Sequence, residues 1–209
     1  MVVLAVGLVM LLVNVGRAAP GPVAAAPTAP APPAMPAPAV SGGVYAGRTS
    51  GDELTIAIAV GADGRAVGYL CDGERVEAWM EGALVGGELS LTGDGATVTG
   101  TVTTADVLGT ATVGDRYWPY AAATAVAPSG LYEGRADVRG AVARIGWILL
   151  PDGTQVGVRD VGGLLSPAPP LDVGDATTID GVPVDVRPVT GDTALSSSLW
   201  FFTTTGITF

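Results

Sequence analysis

The stretch Leu54–Thr55–Ile56–Ala57–Ile58–Ala59–Val60 decides the fold. Leu54, Ile56, Ile58 and Val60 alternate with Thr55, Ala57 and Ala59, a period of two that suits a strand and not a helix. Ala62–Asp63–Gly64 follows, and Asp-Gly supplies the positive φ values of a tight hairpin. Working outward, turn signals recur at Asp72–Gly73, Gly86–Gly87, Gly93–Asp94–Gly95, Gly114–Asp115, Asp152–Gly153 and Asp180–Gly181. Between them the alternation returns. Val98, Gly100 and Val102 are set off by Thr97, Thr99, Thr101 and Thr103, and Val182, Val184 and Val186 by Pro183, Asp185 and Arg187. No amphipathic helix is visible after the first residues. The pattern predicts an all-β domain over residues 44–190, an antiparallel meander of about eight to ten strands. It would form a small up-and-down barrel or a curled sandwich.

An internal echo runs through this body. Tyr45–Ala46–Gly47–Arg48 returns as Tyr132–Glu133–Gly134–Arg135, Asp63–Gly64 as Asp152–Gly153, and Val67–Gly68 as Val156–Gly157. Each copy reads as strand, strand, tight Asp-Gly turn, strand. A duplicated half-barrel and two similar hairpins met by chance are both open readings.

The chain ends differ from the body. Met1–Gly16 is almost wholly apolar, and Arg17 stops it. Residues 1–17 read as a signal anchor or a signal peptide. The segment is short for a spanning helix and lacks the basic start of a signal peptide, so the hydrophobic stretch is expected to begin upstream of Met1. Residues 18–43 form an Ala/Pro-rich linker. Eight of the 16 prolines fall between Pro20 and Pro38, and proline removes the amide donor that helix and sheet need. An extended, semi-rigid stalk is expected. Residues 191–209, with Trp200 and all three phenylalanines (Phe201, Phe202, Phe209), read as a tail or a closing strand.

Composition narrows the function. The 209 residues carry a formal net charge of −10, and all ten basic residues are arginine. Phosphate backbones require clustered cations, so nucleic acid is not an expected partner. The single cysteine, Cys71, cannot form an internal disulfide and lies in an apolar run that predicts burial. Histidine and lysine are both absent, which removes histidine-based triads, most zinc sites and Schiff-base chemistry. The sequence implies no metal and no cofactor.

Two groups of side chains are candidates for ligand contact. Arg75, Glu77, Trp79 and Glu81 form a row in which Glu77, Trp79 and Glu81 share one face of an extended strand. Glu77 and Glu81 would stand about 13 Å apart by strand rise, too far for paired-acid glycoside chemistry. A sugar- or peptide-holding face and a plain solvent face both fit. Tyr117–Trp118–Pro119–Tyr120 is the densest aromatic patch of the body. It reads either as a core or barrel-mouth plug, or as a ligand platform built from Tyr117, Trp118 and Tyr120. Trp147 sits in a run with little polarity and is expected in the core.

Several strings resemble a group of actinobacterial envelope proteins with no characterised activity. They are Tyr45–Ala46–Gly47–Arg48–Thr49, Tyr69–Leu70–Cys71–Asp72–Gly73 with Val76–Glu77–Ala78–Trp79, and Arg144–Ile145–Gly146–Trp147 with Pro151–Asp152–Gly153–Thr154–Gln155–Val156–Gly157. The resemblance covers about residues 45–160. It implies a short membrane segment, a Pro-rich linker and one β-rich extracytoplasmic domain. Some members are labelled serine/threonine kinases, yet this chain holds no kinase motif. The resemblance carries no site residue.

The sequence therefore predicts a non-catalytic binding or sensing module of the cell envelope. It would be tethered to the membrane by its N-terminal helix, or secreted if that leader is cleaved. Its partner would be an envelope protein or a small ligand. Two alternatives stand beside it: a barrel-type carrier of a small apolar ligand, and a carboxylate-dependent enzyme acting on envelope glycan.

Overall fold

Alternation at 54–60 builds the second strand of a closed barrel in the computed structural model of the protein, which describes residues 42–191. The leader, the linker up to residue 41 and the tail from residue 192 lie outside the described residues. Eight antiparallel strands follow one another: β1 (Gly43–Thr49), β2 (Thr55–Val60), β3 (Arg65–Cys71), β4 (Glu77–Val85), β5 (Glu88–Gly93), β6 (Ala96–Val102), β7 (Asp106–Val113) and β8 (Arg116–Thr124). Strand β1 pairs with β8, Tyr45 opposite Thr124 and Thr49 opposite Tyr120, which closes the barrel. The described residues are all-β, with no helix.

Closure depends on backbone approaches that only glycine permits. A Cβ on Gly47 would strike the Ala121 carbonyl, on Gly82 the Ser90 carbonyl, and on Gly109 the Thr99 carbonyl. Neighbouring strands occupy that space, so β1, β4 and β7 can coil tightly. Asp94 and Gly95 both take positive φ (47° and 70°), the geometry of a two-residue primed turn between β5 and β6.

An eight-stranded barrel is about wide enough for side chains to fill, and here they fill it. Tyr45, Ile56, Ile58, Leu70, Met80, Leu91, Val98, Val107 and Tyr120 are buried against one another inside. The Tyr45 hydroxyl donates to the Thr103 carbonyl at 3.1 Å. The Tyr120 hydroxyl is buried with no hydrogen-bond partner, beside the space that Gly100 leaves open.

The chain then builds a second sheet from β9 (Gly130–Val138), β10 (Ala141–Leu149), β11 (Gln155–Val161), β12 (Leu164–Pro167) and β15 (Asp185–Val189). A short ribbon of β13 (Thr178–Ile179) and β14 (Val182–Pro183) stands apart from it. The expected antiparallel meander is the closed up-and-down barrel of β1–β8, and the rest of the 44–190 body forms a separate sheet beside it. The alternation at 182–186 is split between β14 and β15. Pro183 lacks the N–H that an uninterrupted strand would use, and Val184 turns toward Gly134.

Strand order in the second sheet is β12-β11-β10-β9-β15, and in the matching arc of the barrel β4-β3-β2-β1-β8. The connecting turns are also alike. Gly61 N–H donates to Arg65 O (2.8 Å) and Gly64 N–H to Gly61 O (3.0 Å); Leu150 N–H donates to Thr154 O (2.9 Å) and Gly153 N–H to Leu150 O (2.9 Å). Asp63 and Asp152 each accept an N–H two residues on. The likeness seen in the sequence therefore extends over five strands. The second copy lacks counterparts of β5–β7.

The two copies pack outer face to outer face. Ala46, Ala57, Ala59, Val67, Tyr69 and Cys71 of the barrel wall meet Leu131, Ile148, Leu150, Val158 and Val189. Strand β1 lies on β9, β2 on β10 and β3 on β11. The opposite face of the second sheet, with Tyr132, Ile145, Trp147 and Leu149, is covered by Leu171 and Ile179 of a strap spanning 168–184. Trp147 Nε1 donates to Pro169 O at 2.8 Å, and Leu171 N–H to Gln155 Oε1 at 2.9 Å. Prolines stand on both outer strands of this open sheet, Pro167 on β12 and Pro188 on β15, where a missing N–H discourages further pairing.

Candidate functional site

Three places on the described surface combine shape with chemistry. The first is a trough along the outer wall of β1 and β8. It encloses about 710 Å³ and is lined by Gly47, Pro119, Ala121, Ala123 and the Leu150–Pro151–Asp152 turn of the second sheet. Small side chains make its floor flat. Arg48, Asp52, Asp106 and Asp152 charge its rim. Hydrogen bonds from Thr154, with Arg48 adding to them, hold the Asp152 carboxyl below its usual range. Leu108, 54% exposed, stands opposite Ala121 and extends the apolar floor. Sequence reasoning missed this site, because alanines and glycines carry no chemical signal until two elements set them side by side.

The second place is one mouth of the barrel, where the β1–β2 loop meets the β7–β8 turn. Ser50 N–H donates to Pro119 O at 2.8 Å. Trp118 Nε1 donates to the Glu53 carboxylate, and Arg116 reaches the same oxygen at 3.3 Å. The guanidinium also sits 4.7 Å from the Trp118 ring centre, a cation–π contact worth about 0.5–1 kcal/mol when exposed. The predicted aromatic patch is divided by strand alternation. Tyr117 points outward and is 73% exposed, Trp118 packs against the edge of the barrel core, and Tyr120 is inside. The structure does not bring the three together on one face.

The third place is the edge of the seam between the two copies, and the predicted acidic row ends there. Glu77, Trp79 and Glu81 do share the outer face of β4, with Glu77 and Trp79 half-buried and Glu81 exposed. Arg75 precedes β4 in an exposed loop, where its N–H donates to Asp72 Oδ1 at 2.8 Å. Tyr69 is fully buried, with its ring 4.4 Å from that of Trp79. Its hydroxyl donates to Glu77 Oε2 at 3.1 Å. Burial pushes the Glu77 carboxyl up to about 7, against the Tyr69 hydrogen bond and the Arg144 charge. Burial likewise pushes the Cys71 thiol up to about 12. At neutral pH that sulfur is a protonated, enclosed thiol and a poor nucleophile.

Among the described residues, no group of three or more Cys, Asp or Glu side chains is placed to hold a metal ion. No helix among them is long and apolar enough to cross a membrane. Comparison with protein families, curated proteins and solved structures returns no match.

Proposed function

We propose that the protein is an extracytoplasmic binding or sensing module of the cell envelope, held near the membrane by its N-terminal segment and without catalytic activity. The address rests on the apolar leader and the Ala/Pro linker that follows it. One observation carries the binding reading. The barrel interior is occupied by packed side chains, which leaves the outer wall for recognition, and the wall offers the open trough between β8 and the 150–152 turn. Its flat floor and charged rim suit an extended ligand laid along the strands. The filled interior gives the apolar-carrier reading no support.

The glycan-enzyme reading keeps one specific point in its favour, since three carboxylates line that trough: Asp52, Asp106 and Asp152. One experiment separates the two. The full chain is incubated with purified cell envelopes, and both retention and released reducing sugar are measured. Binding without turnover is expected, with retention weakened at least about tenfold by Ala121→Arg in the trough floor. Release of sugar, or retention indifferent to Ala121→Arg, would overturn the proposal.

A further inference from the structure

The seam between the barrel and the second sheet closes, at one corner, on a carboxylate. Glu77 opens β4 and stands directly across from Cys71 of β3. Its hydrogen-bond donor, Tyr69, is wedged between the two sheets. The Tyr69 ring lies over Gly146 of β10, and a Cβ at that glycine would come within 2.6 Å of the tyrosine oxygen. On its other side the ring meets Trp79. Any change in the state of Glu77 therefore acts on a packed wedge that touches both copies.

The charges facing Glu77 come from several elements. Arg144 of β10 attracts the carboxylate, while Asp160 of β11 and Asp94 of the β5–β6 turn repel it. Asp94 is itself engaged, accepting the Trp79 N–H at 3.1 Å. On the same side, Tyr69 and Cys71 are neutral at physiological pH because burial raises both. Asp72 spends one carboxylate oxygen on the N–H groups of Glu74, Arg75 and Val76. An ionised Glu77 at this half-buried edge therefore relies on the Tyr69 hydroxyl and on Arg144, which Arg135 of β9 stands directly across from, against the repulsion of Asp160 and Asp94.

We propose that this corner is a proton-operated joint: with Glu77 protonated Tyr69 and Trp79 seat closely at the edge of the seam, and with Glu77 ionised that edge, around Glu77 and Trp79, opens locally to water while the apolar centre of the seam stays packed. The step moves one proton between solvent and a Glu77 oxygen and changes no other bond. A neutral acid sits in a half-dry seam at little cost, whereas a carboxylate there needs water or a full set of partners. Because the carboxyl is raised to about 7, the joint works across neutral pH, well above the ordinary range of glutamate. The ligand of this device is the hydrogen ion. The inference is independent of where the chain resides and of what the trough binds.

Hydrogen exchange on the full chain, corrected for intrinsic rates and followed by mass spectrometry from pH 5.5 to 8.5, tests it. Protection of β4 and β10 should fall at least about fivefold as pH rises, with a midpoint near 7, while β7, across the barrel from β3, stays unchanged. In Glu77→Gln the protection should remain at its low-pH level throughout. Asp160→Asn removes a repelling charge and should move the midpoint down; Tyr69→Phe removes a donor to the carboxylate and should move it up. These two variants keep the test decisive should Glu77→Gln fail to fold. Wild-type protection independent of pH, a transition that persists in Glu77→Gln, or a midpoint that ignores both Asp160→Asn and Tyr69→Phe would overturn the proposal.

Discussion

Replacing Gly146 with alanine probes the contact between the two copies with a single methyl group. The added carbon would lie 2.6 Å from the Tyr69 oxygen and 2.7 Å from Cε1, and closer still to Cζ. Ordinary carbon contacts need about 3.5–4.0 Å, so the ring must move by about 1 Å. Little room exists for that. Tyr69 is fully buried, stacked 4.4 Å from Trp79 and tied to Glu77. Overpacking of this kind costs about 1–3 kcal/mol, and a displaced hydroxyl adds about 1 kcal/mol. Alanine returns about 0.4–1 kcal/mol by restricting the unfolded chain. A net loss of about 2–3 kcal/mol follows, or roughly 4–12 °C in Tm for a domain of this size. Urea denaturation followed by tryptophan emission measures it. Tyr69→Leu provides the control, because leucine lacks the three atoms that collide. In that background Gly146→Ala should cost under about 0.5 kcal/mol, and the difference between the backgrounds is the coupling. A loss below about 0.5 kcal/mol in the wild type, or equal losses in both backgrounds, would refute the argument.

Other perturbations reach the remaining elements. Glu77 has a carboxyl raised from 4.5 to about 7, so the folded state holds its proton longer than the unfolded state. Stability from this group is complete below about pH 4.5 and is lost as pH rises to about 7, by at most about 3 kcal/mol; Glu77→Gln should flatten that part of the stability curve, read by urea midpoints at pH 5 and pH 8. Tyr120→Phe removes a buried hydroxyl that has no partner and should leave stability unchanged or raise it by up to about 1 kcal/mol, and a loss above that would reveal an unseen partner. Gly47→Ala places a carbon against the Ala121 carbonyl at the closing pair of strands and should cost about 3 kcal/mol or more, visible as lost near-ultraviolet dichroism. Glu53→Gln at the exposed barrel mouth should change stability by under about 1 kcal/mol.

Much of the barrel could be read from residue order, because β-strand alternation and Asp-Gly turns are local signals. The alternation at 97–103 is observed as β6, with alternating burial. The limits were physical as well. Thr55, Ala57 and Ala59 look like a weakly polar outer face, yet every residue of β2 is buried, since the second copy covers that wall. Closure of β1 on β8 joins residues about 75 positions apart, and no local pattern encodes it. The row Glu77–Trp79–Glu81 was visible as one face, but the tyrosine that holds Glu77 and packs on Trp79 fits only because Gly146 of β10 carries no side chain. Trp118 and Tyr120 were visible as aromatics. Their separation from Tyr117 follows from the pleat alone. The trough escaped notice because it belongs to two distant segments joined only in the fold.

The proposed placement of the β domain outside the membrane, with the β8 wall facing its surroundings, is open to a direct chemical test. Cys71 is fully buried, so the wild-type chain offers a silent background for thiol labelling among the described residues. Ala121→Cys places one thiol on the exposed trough floor. Intact cells carrying the full chain are treated with a membrane-impermeant maleimide. Labelling of Ala121→Cys and none of the wild type is expected; labelling of Ala121→Cys only after the cells are lysed would contradict the extracytoplasmic placement.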